Sequence, residues 1–384
     1  MPVITAGAVV LDGRVHRPGW VSVADGRIAD CGAGVPPVGA DTDFGAGVLV
    51  PGFVDMHVHG GGGVSYADSA GASSEAIDRA AALHARHGTT AGLASLVTAA
   101  PQALLTQVRT LAAATRRGVV DGIHLEGPWL SRLHCGAHDS AWLRAPEAAE
   151  VDALLDAGDG AIRMVTLAPE LPDAVAIIRR LVDAGIVVAV GHTDAGYDQT
   201  QAAIDAGATV GTHLFNAMRA LHHREPGPVP ALLADPRVTV ELIADGVHLH
   251  PAVIRHVVAT AGPDRVALVT DAMAAAGAGD GAFALGGLAV DVADGVARLR
   301  GTATIAGSTA TMDRLFTAAV RLLGGQIDTD AALAAAVRMT SSTPARTLGL
   351  NGAGVLAAGS VANLVVMNAD LQVERVMRRG AWLR

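Results

Sequence analysis

Glu126 closes the short apolar run from Val119 to Leu125, and Gly127 and Pro128 stop that run at once. A carboxylate at the end of a buried strand needs a cation to neutralise it. An arginine partner or a helix cap would serve, and for Glu126 alone these are the simpler readings. Elsewhere the chain offers more donors of the same kind. His57 and His59 stand two residues apart, a spacing that turns both imidazoles to one face of a strand, where they can reach one ion. Gly60 to Gly63 follow and allow close backbone approach. His192 ends VAVGH, His213 sits in GTHLFNAM, and Asp271 sits in ALVTDAM. Each of these, taken singly, is more often a core or loop residue, and His84, His87, His222, His223 and His256 follow no such pattern. Imidazole and carboxylate donors brought together suit a divalent transition metal. The question is whether the elements that carry them converge.

From Gly47 onward apolar strands alternate with Ala-rich stretches of helical spacing, such as SSEAIDRAAALHARHG and APQALLTQVRTLAAATRRG. Eight strands are legible: VLVPGFVDMHVH, TTAGLASLV, VVDGIHLEG, IRMVTLAP, IVVAVGH, TVGTHLF, VTVELIADGVH and VALVTDA. That rhythm predicts a (β/α)8 barrel, whose site lies at the carboxyl ends of the strands. All six metal-type side chains fall at such ends, so one cavity collects them. Two more helices are expected, near Met312 to Leu323 and Ala331 to Met339. Residues 1–50 and 350–384 read as short strands and tight turns, which predicts one small β-sandwich domain from both termini beside a barrel at 51–349.

Bulk composition removes several classes of function. A net charge of −9 with 3% aromatic residues argues against a nucleic-acid surface. No apolar run approaches the roughly 18–20 residues of a membrane span, and the N-terminus lacks the pattern of a signal peptide. With two cysteines, Cys31 and Cys135, there is no disulfide framework, and the cytoplasm is the expected compartment. All 28 basic residues are arginine, so lysine Schiff-base chemistry and a carboxylated-lysine metal bridge are both excluded.

In the order PGFVDMHVHGGGG, HLEGPW, GHTDA, THLFNAM, ADGVH and VTDAM, the chain resembles the N-acetylglucosamine-6-phosphate deacetylases of the amidohydrolase superfamily. The likeness runs over nearly the whole chain, and HLEGP and THLFNAM are specific to that family within the superfamily. It implies Glu126, His192 and His213 as ligands of a primary metal, and His57 with His59 for a second ion, Glu126 bridging. The resemblance implies one or two divalent metals per chain, zinc before iron, manganese or cobalt. It assigns Asp271 as general base and acid, and His138 as the group that polarises the acetyl carbonyl. Ala137, Asn216, Ala217 and the Ile305, Ala306 and Gly307 segment would line the sugar site, with Arg224 and His248 on the phosphate. Arg224 alone would pass for a solvated surface arginine, although a guanidinium fork suits phosphate.

The implied reaction is hydrolysis of an acetamido group on a phosphorylated amino sugar, by a homodimer that binds neither nucleic acid nor membrane. Two readings stay open beside it. The same donors could serve another amidohydrolase reaction, a cyclic-amide hydrolase or deaminase, or the chain could be a barrel scaffold without catalysis.

Overall fold

The computed structural model describes residues 1–70 and 74–383. Near-continuous apolar runs fold as short strands buried on both faces. In chain order these are β1 (Phe53–Asp55), β2 (Thr89–Leu96), β3 (Gly122–Glu126) and β4 (Ile162–Leu167), followed by β5 (Val187–Val190), β6 (Val210–Gly211), β7 (Thr239–Leu242) and β8 (Val266–Leu268). They form one eight-stranded sheet in strictly sequential order, parallel from β2 through β8. Beyond the last strand, Val58 bridges Ala272 in parallel, and the Asp271 N–H donates to the His57 carbonyl at 2.8 Å. The sheet is thus a nearly closed (β/α)8 barrel. Among the intervening helices, Pro101–Arg116 buries a stripe that includes Leu104, Val108 and Leu111.

The run VLVPGFVDMHVH is not one strand. Val48–Pro51 belongs to a different sheet, where it pairs in parallel with Ala8–Leu11 and antiparallel with Leu364–Met367. Gly52 separates it from β1, and a Cβ there would lie 2.1 Å from Thr90 Oγ1, so only glycine fits at the crossing. His57 and His59 lie in extended chain just past β1 rather than within it.

The termini supply two sheets, one of six strands that includes Val373–Arg378 and one of four that includes Gly19–Ala24. They close over one apolar core that includes Ile4, Val9, Val21, Ile28, Leu49, Leu364 and Val366. By compactness the chain divides into two units, Met1–Asp55 with His84–Ala91 and Thr311–Arg384, and Met56–Leu83 with Gly92–Ala310. The helices Met312–Gly324 and Thr329–Val337 therefore group with the terminal strands. Between β8 and those helices lies an element absent from the sequence reading, a three-stranded antiparallel sheet of Gly281–Leu285, Leu288–Ala293 and Val296–Leu299. It packs Leu285, Val290, Val292 and Ala297 against Met273 and Ala306. No helix among the described residues is long and apolar enough to cross a membrane.

Candidate active site

At the carboxyl ends of the strands the chain turns sharply. His192 and His213 take φ of +47° and +26°, and Asp271 takes +47°. Residues other than glycine seldom adopt such values, which cost of order 1–3 kcal/mol and cluster at functional sites. The turns aim six buried side chains at one point. His57, His59 and Asp271 form one group and Glu126, His192 and His213 a second, with the ligating atoms of each group within 4.8 Å of one another. Glu126 joins the groups. Its Oε1 is 3.0 Å from His192 Nε2 and 2.9 Å from His213 Nε2, and its Oε2 is 3.1 Å from His59 Nε2. His59 Nε2 is also 3.2 Å from Asp271 Oδ1.

The proton positions suit a pair of donor groups that could hold a metal ion. His192 Nδ1 lies 2.9 Å from the His134 carbonyl, which can only accept, so the proton sits on Nδ1. Its Nε2 then stands 3.0 Å from the Glu126 carboxylate and 3.1 Å from His213 Nε2. His57 repeats the arrangement, with Nδ1 3.1 Å from Glu241 Oε2 and Nε2 3.1 Å from His59 Nε2. Lone pairs so close repel unless a cation or extra protons stand among them. Ligands at ~2.0–2.1 Å around a tetrahedral ion are about 3.3 Å apart, close to the spacing found.

The charge balance agrees. Burial opposes a charge on His59, yet its hydrogen bonds to Asp271 and Glu126 raise it to about 9. Burial would push Asp271 up, but His57 and His59 hold it at about 2. Burial likewise opposes the ionised form of Glu126, and His57, His192 and His138 overcome it, drawing the carboxyl well below its ordinary range. The cluster demands positive charge, which a divalent ion supplies without protonating a ligand.

His138 is built differently. The Thr98 N–H donates to its Nδ1 at 3.2 Å, which leaves the proton on Nε2, 3.2 Å from Glu126 Oε2. Burial, reinforced by His192 and only partly offset by Glu126, lowers it to about 4, so a neutral N–H donor faces the cavity.

That cavity, about 400 Å³, is lined by His59, Glu126, Ala137, His138, His192, His213, Asn216, Ala217, His248, Asp271, Ile305 and Gly307 among others. Leu285 and Ala303 to Gly307, on and after the added sheet, form one wall. Two residues expected on the sugar phosphate are not brought in. Ala306 is fully buried in the apolar cluster with Met273, and Arg224 is exposed on a loop with its guanidinium 2.7 Å from His223 Nε2. His248 does reach the cavity, and its Nδ1 is 2.8 Å from Asp245 Oδ2. Sequence reading missed Glu241, Thr98, and the buried His124, whose nitrogens meet Ser95 Oγ at 3.0 Å and Thr166 Oγ1 at 2.8 Å.

The sequence profile of the Amidohydrolase family matches residues 48–383. A solved structure of an N-acetyl-D-glucosamine-6-phosphate deacetylase mutant from Mycobacterium smegmatis, in complex with N-acetyl-D-glucosamine-6-phosphate, is 55% identical with a TM-score of 0.97, covering 99% of this chain and 98% of that one. An N-acetylgalactosamine-6-phosphate deacetylase of Escherichia coli O157:H7 is 38% identical over 369 residues, 94% of this chain and 95% of its own. An N-acetylglucosamine-6-phosphate deacetylase of Lysinibacillus sphaericus is 33% identical over 365 residues, 94% of this chain and 92% of its own. Family profile, relatives and site geometry lead to the same place: this chain belongs to the amidohydrolase family.

Proposed function

We propose that the chain hydrolyses the acetamido group of N-acetylglucosamine 6-phosphate, releasing acetate and glucosamine 6-phosphate. The observation that carries this reading is the double donor cluster joined by Glu126 beneath a cavity of sugar size, in a chain 55% identical to a deacetylase solved with that sugar phosphate. The amidohydrolase family implies a divalent metal, and Glu126, His192 and His213 would hold the primary ion, with His57 and His59 for a second. Such an ion polarises a carbonyl and makes water acidic enough to react as hydroxide near neutral pH. We take zinc as the native metal, with iron, manganese and cobalt as alternatives.

The protein's own groups then divide the work. Asp271, ionised at neutral pH, takes the proton of the attacking water and passes it to the sugar nitrogen as the C–N bond breaks. His138, fixed as an Nε2–H donor, steadies the negative charge that grows on the acetyl oxygen. Asn216, Ala217, Ala137 and Ile305 to Gly307 orient the ring, and His248 meets the phosphate. Arg224, outside its own cavity, supports a homodimer in which it reaches the neighbour's phosphate. We place the enzyme in the cytoplasm, and divide the chain functionally into terminal strands at 1–50 with 350–384 and a barrel at 51–349.

The galactosamine relative favours one second reading, the 4-epimer of the same sugar phosphate as substrate. Acetate release from each epimer at matched concentration decides between them. The higher kcat/KM identifies the natural substrate, and absence of turnover on both refutes the deacetylase reading.

A further inference from the structure

Glu241 is completely buried in the middle of β7, inside the apolar run VTVELIADG. A carboxylate there is costly, because ionised groups lose several kcal/mol of hydration on burial unless the surroundings replace it. Its partners are unusual for a structural role. One oxygen, Oε2, is 3.1 Å from His57 Nδ1 and accepts the His213 backbone N–H, also at 3.1 Å. The other, Oε1, meets no hydrogen-bond donor among the described residues. The Glu241 carbonyl in addition accepts the Leu214 N–H at 2.9 Å. Among the described residues no arginine pairs with the carboxylate, which is held by the two segments that carry the donors.

Those segments belong to opposite halves of the donor cluster. His57 stands with His59 and Asp271, and His213 with Glu126 and His192. At His57 the carboxylate fixes the proton on Nδ1 and turns the Nε2 lone pair inward, as carboxylates behind metal-binding histidines do. At His213 it anchors a backbone bent to φ +26°, a conformation that must be held from outside. Both tasks fall to a single atom, so a shift of Oε2 moves donors in both halves together. The fixed negative charge also sits behind the ligands, where it favours a cation between them.

We infer that Glu241 is a positioning residue that sets the donor geometry of both halves of the metal centre, so that its loss weakens ion binding at both. This rests on the metal reading proposed above. The test uses the full-length protein loaded with zinc or cobalt(II), as wild type, Glu241→Gln and Glu241→Ala. Metal transfer to a coloured chelator gives the number of ions and their release, the visible spectrum of the cobalt form reports ligand geometry, and thermal melts are taken with and without metal. Outer-shell substitutions weaken metal binding by ~10- to 100-fold, and Glu241→Ala should do so for every ion the wild type holds, with an altered cobalt spectrum. Glu241→Gln can keep both hydrogen bonds through its amide oxygen but loses the charge, so its loss should be several-fold and smaller. The metal-free variants should melt no lower than metal-free wild type, while the gain on adding metal shrinks. Unchanged release and spectrum in either variant would overturn the inference, and so would a loss confined to one of two ions. If Glu241→Ala does not fold, Glu241→Gln carries the test by itself. Wild type that holds no metal would sink the metal reading itself, which separates the two failures.

Discussion

Single residues at this site are read by the proton or lone pair they present. Asp271 is ionised and faces the cluster, so Asp271→Asn should cost turnover at least ~10²-fold while metal content stays near that of wild type. Steady-state kinetics with elemental analysis checks both halves of that statement, and near-native turnover would place the base elsewhere. On the proposed reading Arg224 would meet the phosphate of the substrate, which does not change charge in the reaction. Arg224→Ala should therefore lower kcat/KM by roughly 10- to 150-fold, mostly through KM, because a charge-assisted hydrogen bond contributes ~1.5–3 kcal/mol of uniform binding. Measured on the unphosphorylated sugar, the same variant should differ little from wild type. The clustering of these donors was legible because a polar side chain at the end of an apolar strand has little packing reason to be there. Glu241 gave the same signal in VTVELIADG, one carboxylate within a buried run, and could have been found by the argument applied to Glu126. The tautomer of His138 could not, since it depends on the Thr98 N–H 40 residues away.

At the scale of elements, the strand ends are positioned by close contacts that leave no room for a side chain. Gly191 lies between β5 and His192, and a Cβ there would stand 2.7 Å from Thr212 Cβ and 2.8 Å from Thr166 Cγ2. Gly191→Ala must push β5 away from its neighbours and carry His192 and His213 with it. Overpacking of this kind costs ~1–3 kcal/mol, so we expect a lower melting temperature with weaker metal retention. Native stability and ion content in that variant would mean that the strand ends tolerate displacement. Eight strands were readable from apolar runs alone, but two boundaries were not. The first run looked continuous across Gly52, where the chain passes from one sheet to another, because both halves are equally apolar. The sheet at Gly281–Leu299 had its turns in plain view, Gly286-Gly287 and Asp294-Gly295, in positions typical of hairpins. A barrel template that ends at the eighth strand left no place for it.

For the molecule as a whole, the exposed Arg224 makes a prediction about assembly. Mixing inactive Asp271→Asn with Arg224→Ala and allowing subunits to exchange should restore activity, since a mixed dimer contains one site with both groups native. Random pairing gives native sites in about a quarter of the total under two-fold symmetry. No recovery, or sedimentation as a fully active monomer, would confine each site to its own chain. The central claim, metal-dependent deacetylation of a phosphorylated amino sugar, is tested most directly by acetate release. Protein is stripped with chelator, reloaded with a divalent ion, and given N-acetylglucosamine 6-phosphate or the unphosphorylated sugar. The account predicts no turnover when stripped, recovery on reloading, and a strong preference for the phosphorylated sugar. Turnover that survives stripping, or equal turnover of the two sugars by the reloaded protein, would contradict it.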